Sequence, residues 1–202
     1  PRPEDTEERV RVVGEHLSDG LRRVGMSTRQ TRALDIGAGD GSFGPLLRKW
    51  SRVTCATYPS HEELALARLS ELDTDFLVLA DIRSPLPFPA DYFSLVLVNG
   101  VLQGSGFNAR TVGEAMGEVS RVLSPSGVVV IGEMPQVDEY PRLLVRALAQ
   151  LSLRSLMTGR SERLSGFPLR KGFYADRESM VELASGVGLQ LVATYDSEPT
   201  EV

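Results

Sequence analysis

Apolar and polar positions along the chain repeat with two different periods, and the switching between them outlines the fold. Val10, Val13, Leu17, Leu21 and Val24 recur at helical spacing, which predicts an amphipathic helix over 7–25 with Gly25 as its stop. A polar link follows to Arg32. From there short apolar runs alternate with helical stretches. Strands are predicted at 33–36, 53–57, 76–80, 95–98 and 128–132. Helices are predicted near 43–50, from the cap Ser60 to about Leu72, and over 112–123, where Val112, Met116, Val119 and Leu123 share a face. The loop Ser84-Pro85-Leu86-Pro87-Phe88-Pro89 and the turn Ser124-Pro125-Ser126-Gly127 interrupt regular structure.

The strands are short and apolar on both faces. Strands of that kind, alternating with helices, imply a mainly parallel sheet covered on both sides. Right-handed crossovers then give a doubly wound α/β fold. After Glu133 the rhythm changes. A long helix is expected over 138–157, a polar irregular stretch over 158–172, a helix over 176–187 and a last strand over 189–195. The chain therefore reads as one domain. An N-terminal helix and link (1–32) precede a core (33–132). A helical insertion (133–173) lies over the carboxyl edge of the sheet, and a last helix and strand (174–202) follow.

Composition narrows the function. The chain has 202 residues, enough for one well-buried core. Its net charge of -5 weighs against a general nucleic-acid binder. One cysteine, Cys55, excludes an internal disulfide and a cysteine zinc cage. Two histidines, His16 and His61, leave no all-histidine metal site, so no metal is expected. No apolar run reaches membrane length and no signal peptide is visible, so a cytoplasmic protein is expected, monomer or homodimer. Only Lys49 and Lys171 are lysines; the other basic residues are arginine, which suits planar anions.

The sharpest motif is Leu34-Asp35-Ile36-Gly37-Ala38-Gly39-Asp40-Gly41-Ser42-Phe43-Gly44. Strand, glycine turn and helix together let backbone approach a ligand. A dinucleotide loop would read Gly37-x-Gly39-x-x-Ser42, lacking its third glycine, and the frame Gly39-x-Gly41-x-x-Gly44 starts too far beyond the strand. Asp35 and Asp40 flank the turn, which suits a ligand carrying positive charge better than a phosphate.

The turn resembles the first motif, D-x-G-x-G-x-G, of the class I S-adenosylmethionine-dependent methyltransferases. Ala80-Asp81-Ile82, Leu86-Pro87-Phe88-Pro89, Asp91-Tyr92-Phe93, Asn99-Gly100-Val101-Leu102-Gln103 and Glu118-x-x-Arg121-Val122-Leu123-x-Pro125-x-Gly127 are similar to later segments of that family. The resemblance spans roughly 30–133. It implies a Rossmann-like sheet of six or seven strands and S-adenosylmethionine as cofactor. Gly37, Ala38, Gly39, Asp40 and Gly41 would form the cofactor turn. Asp35 would hold the ammonium end, Asp81 the adenine amine, with Ile82 against the ring, and Asn99 the methionine part through its backbone.

Three places depart from the pattern. Thr57 stands where the family has an acid that grips the ribose, so that Thr57, the following Tyr58, or Glu62 and Glu63 just downstream would have to replace it. Gln103 occupies a position where histidine is common. The sequence ends seven residues past Tyr195, where the family usually adds an antiparallel last strand, so either that strand is absent or the chain was trimmed.

A methyl on a sulfonium is already activated, so alignment of the acceptor is the main catalytic task. Glu133, after strand five, is a candidate base or acceptor-holding group, with Gln103, at the exit of strand four, the other candidate; the alternatives for Glu133 are a helix cap or an ion pair with an arginine. Candidate acceptor-lining residues are Tyr174, just after the insertion, and Tyr140 and Arg170 on it. There Arg154, Arg160, Arg163, Arg170 and Lys171 face one acid, Glu162, which points to a small anionic acceptor for O- or N-methylation. The same stretch also reads as a solvated loop. Rival readings are a binding protein that kept the fold and lost catalysis, a nicotinamide-dependent oxidoreductase, and an RNA methyltransferase.

Overall fold

The computed structural model describes residues 3–26, 32–103, 106–133, 177–190 and 192. Helix α1 (Pro3–Arg23) precedes strand β1 (Arg32–Ile36). Then come α2 (Gly44–Trp50), β2 (Val53–Tyr58), α3 (His61–Leu69), β3 (Phe76–Leu79), β4 (Phe93–Asn99), α4 (Ala109–Val122), β5 (Leu123–Gly132) and α5 (Arg177–Gly186). The strands form one sheet, ordered β3-β2-β1-β4-β5, with every neighbour pair parallel. This is the parallel, doubly wound arrangement expected from the sequence. The expected last strand, the 133–173 insertion and the chain end lie outside the described residues or at their margin.

Both faces of the sheet are covered, as the two-sided apolar strands require. On one face Leu17 and Leu21 of α1 and Leu46 and Leu47 of α2 pack on Ala33, Leu95 and Leu97. On the other, Val112, Met116, Val119 and Val122 of α4 cover Leu34, Ile36, Val96 and Val98, and Leu183 of α5 packs beside them. Helix α3 closes a smaller cluster over Ala56 and Tyr58. Strands β1 and β4 are the buried centre of the sheet.

Local chemistry sets the helix ends. The Ser60 hydroxyl accepts from the Glu63 N–H at the start of α3, as expected of a cap. Helix α4 starts at Ala109, three residues before the apolar stripe, because Asn108 and Thr111 form a reciprocal capping box. The turn expected at 124–127 lies within the span of β5 as an interruption of register. Phe93 pairs with Leu123, but Leu95 pairs with Val128, so the residues between bulge out.

The Glu118-x-x-Arg121 motif is structural. Arg121 donates to the carbonyls of Phe88 (2.8 Å) and Leu86 (3.0 Å), and Glu118 accepts from the Leu86 N–H at 2.8 Å. The two side chains also pair with each other at 2.8 Å. A proline-rich loop cannot satisfy its own backbone, so α4 does it instead. That fixes the path from β3 into β4.

Strand order reverses between β1 and β4. Open α/β sheets bind ligands beyond the carboxyl ends of the strands at such a point. A cavity lies there.

Candidate functional site

The site begins where β1 ends. Asp35 sits one residue before the end of the strand, 3% exposed. Gly37, Gly39 and Gly41 then all take left-handed backbone, with φ of 68°, 56° and 74°. A β-carbon on Gly37 would lie 2.8 Å from a Val101 methyl, so a side chain there is excluded by contact as well as by conformation. The turn is pinned from β2: the Gly37 N–H donates to the Thr57 hydroxyl at 3.1 Å, and the Ala38 N–H donates to the Thr57 carbonyl at 3.1 Å. At its far side the Asp40 carboxylate accepts from the Ser42 N–H at 3.1 Å.

The electrostatics of this end are one-sided. Burial, with the Asp40 charge adding to it, pushes the Asp35 carboxyl up to about 7. Among the described residues no arginine or lysine pairs with it. Tyr58 is pushed up to about 12, by burial first and then by Asp35, Asp40 and Glu63. Burial likewise takes the Cys55 thiol to about 12, so it stays protonated and is no nucleophile at neutral pH.

The other end is built from β4, β5 and α1. Glu133, directly after β5, is in the left-handed region with φ 55°, uncommon for a residue with a side chain. Its carboxylate pairs with the Arg9 guanidinium of α1 through both oxygens. The same guanidinium stands 6.0 Å from the centre of the Phe43 ring, at the edge of cation–π range. Gly100, φ 68°, lets Glu133 in: a β-carbon there would lie 2.7 Å from Glu133 Oε2 and 3.6 Å from Gln103 Nε2. Asn99, at the end of β4, is 8% exposed.

These ends enclose a cavity of about 430 Å³, within the ~300–1,000 Å³ of small-molecule sites. Its walls bring together Asp35, Gly37, Ala38, Gly39, Asp40, Asn99, Gln103 and Glu133 from the sequence-derived set. Four further wall residues were not among the predicted site residues: Ser42, Phe43 and Gly100, which lie within the quoted motifs, and Arg9, which lies in none. Arg9 looked like one more charge on the polar face of an amphipathic helix. Only the docking of α1 brings it here.

The remaining expected residues are placed elsewhere. Thr57 is fully buried, its hydroxyl held by the turn, and Tyr58 packs in the α3 cluster. Gly41 faces Leu72, and Ile82 is in the core beneath α4. Asp81 takes hydrogen bonds from the Arg83 N–H (2.9 Å) and guanidinium (3.0 Å), which hold its carboxyl below the usual range. Tyr140, Arg170 and Tyr174 lie outside the described residues.

Comparison with known proteins agrees with this geometry. Residues 34–131 match the family model of a methyltransferase domain. Among solved structures, YcgJ of Bacillus subtilis is 25% identical, with 67% of this chain and 58% of that one covered at a TM-score of 0.50. The PH0226 protein of Pyrococcus horikoshii is 24% identical over 64% of this chain and 62% of that one, TM-score 0.50. A SAM-dependent methyltransferase from Leishmania major is 18% identical, with 94% of this chain and 69% of that one covered, TM-score 0.61. The chain thus spans less than two thirds of the first two structures it resembles. No curated protein matches the sequence. Residues 34–131, with the glycine turn near their start, thus match a methyltransferase domain, and the chain shares the fold of S-adenosylmethionine-dependent methyltransferases such as the Leishmania major protein.

Proposed function

We propose that this protein transfers the methyl group of S-adenosylmethionine to a small molecule in the cytoplasm, on oxygen or nitrogen, by in-line displacement. The observation that carries the reading is Asp35: a buried carboxyl with no cation beside it among the described residues, next to a left-handed glycine turn at the switch point of the sheet. A positively charged ligand is what would draw its proton off. The fit extends to the walls, where Asp35, Asp40 and Glu133 face a single arginine, Arg9.

When bound, the cofactor supplies a methyl that bonds to an acceptor lone pair as the sulfur–carbon bond breaks and its electrons stay on sulfur. The chain's own residues do the rest. Asp35 would take the ammonium end. The open backbone at Gly39, where no atom lies within 4 Å of an added β-carbon, would lie under the ligand. Glu133 can hold the acceptor or receive its proton, in exchange for part of its pairing with Arg9. Asp81 would have to share its carboxylate between Arg83 and the adenine amine. Among the described residues an anionic acceptor finds support in Arg9 alone; the basic stretch that first suggested one lies beyond them.

One observation favours a second reading, a fold that binds cofactor and does not turn over. Thr57 replaces the family's ribose-gripping acid, and its hydroxyl is committed to Gly37. Titration calorimetry with S-adenosylmethionine and S-adenosylhomocysteine, followed by slow hydrolysis or transfer assays across amine and hydroxyl acceptors, separates the two. The enzyme reading expects micromolar binding and turnover on one acceptor class. Binding without transfer supports the second reading, and no binding at millimolar ligand overturns both.

A further inference from the structure

Arg9 and Glu133 both line the cavity and pair with each other across its wall. The matched methyltransferase domain covers residues 34–131, so both partners stand outside it. Among the described residues Arg9 is the only cation on that wall, against Asp35, Asp40 and Glu133.

The contact has the shape of a ligand complex. Arg9 meets Glu133 with one edge of its guanidinium, Nε donating to Oε1 and Nη2 to Oε2, the second bond 3.2 Å long. A planar fork of that kind matches a planar pair of oxygens. Glu133 supplies the pair from left-handed backbone, φ 55°, with its carboxylate over Gly100. Both side chains are about a third exposed, 37% and 33%, and pairs so exposed are held weakly. Another carboxylate can therefore displace that of Glu133.

Position decides which molecule that carboxylate belongs to. Glu133 follows β5, Asp35 is on β1, and β4 lies between them. Two strand spacings are about 9–10 Å. The ammonium and carboxylate of an amino acid share one carbon and do not span that gap. With the cofactor's ammonium at Asp35, an anion at Arg9 comes from a second molecule.

Resting on the methyltransferase reading, we propose that Arg9 binds a carboxylate of the methyl acceptor, which takes the place Glu133 now occupies. The acceptor class is a small carboxylic acid that also carries the amine or hydroxyl to be methylated. Asp35 and Asp40 repel its acid group from the opposite end, so the molecule enters in one orientation. Glu133 is released from its cation only when an acid has arrived, which ties the freeing of that carboxylate to the right acceptor.

Nuclear magnetic resonance reads Arg9 directly. The Arg9 Nε–H resonance, assigned by its absence in Arg9→Met, is followed in protein saturated with S-adenosylhomocysteine. Acetate and benzoate are the probes, with acetamide and benzamide as neutral counterparts. At least one acid should move the resonance saturably, and neither amide should. Glu133→Gln removes the internal competitor, so the same acid should bind about two- to fivefold tighter. Line broadening of the acid itself should vanish in Arg9→Met, while S-adenosylhomocysteine binds that variant within about twofold of wild type. An Arg9 resonance that no acid moves, or that amides move equally, would overturn the proposal. So would unchanged acid affinity in Glu133→Gln, or a neutral acceptor in the transfer assays. Loss of S-adenosylhomocysteine binding in Arg9→Met would make Arg9 a cofactor contact and overturn it as well. Failure of the wild type to bind S-adenosylhomocysteine would instead overturn the methyltransferase reading.

Discussion

The two ends of the cavity are built on opposite principles. At the β1 end one contiguous segment, 35–44, supplies the acid, the turn and the approach to α2, and its charge is left uncompensated. At the β5 end Arg9, Asn99, Gln103 and Glu133 come from three separate parts of the chain, and the charged members are already paired. The first end is ready for a cation with no rearrangement. The second must give up internal contacts to take a ligand. A common cofactor and a particular acceptor would place those demands on the two ends.

The comparison is broken most severely at Asp35. Asp35→Asn keeps the shape and removes the charge, and one charge-assisted contact of about 1.5–3 kcal/mol makes the expected loss of S-adenosylhomocysteine affinity roughly 10–100-fold. In the wild type, affinity should climb about tenfold per pH unit until pH reaches about 7 and then level off, because only the ionised carboxyl binds the ammonium. The variant should show no such slope. The sign for stability is opposite. The folded carboxyl holds its proton more tightly than the unfolded one, so the free protein gains from Asp35 below the ordinary carboxyl range and loses that gain as pH rises to about 7. Melting temperature at pH 8 should therefore be higher in Asp35→Asn than in wild type. A drop in both affinity and melting temperature would mean that Asp35 is a structural group.

A second break is conformational. Gly37→Ala meets Val101 and forces a side chain into left-handed backbone, at an expected cost of about 1–3 kcal/mol in denaturant unfolding. Cofactor affinity should fall with it. Thr57→Val tests how the turn is held. It removes the hydroxyl that accepts from Gly37, and the expected loss is about 1 kcal/mol of stability with a severalfold loss of cofactor affinity. Unchanged affinity would show that β2 is not what shapes the turn.

The smallest effect is expected at the other end. Arg9→Met breaks a pair whose partners are each about a third exposed, worth roughly 0.2–1 kcal/mol. Cofactor affinity should stay within about twofold. Amide exchange in α1 should quicken, since Arg9 tethers that helix to Glu133. A large loss of cofactor affinity in this variant would merge the two ends into one functional unit and end the distinction drawn between them.

Legibility followed the same divide. The parallel doubly wound sheet, both covered faces, the cap at Ser60 and the aspartate–glycine turn could be read in advance, because each depends on residues close together in sequence or on a short repeat period. The role of Thr57 could not: its replacement of an acid was visible, but its hydroxyl bond to Gly37 depends on β1 and β2 lying side by side. Glu118 and Arg121 were recognised only as a family pattern, and their work on the Pro85–Pro89 loop emerged from packing.

By itself, then, the sequence determined the alternation of elements, the doubly wound sheet and the aspartate-flanked glycine turn, since periodicity, glycine conformation and a flanking acid are local properties. Tertiary structure alone decided that Arg9 crosses to Glu133, that Gly132 makes room for Asn99 and that Asp35 loses its water. Burial and pairing between distant segments are set by which surfaces meet, and no single stretch of chain encodes that.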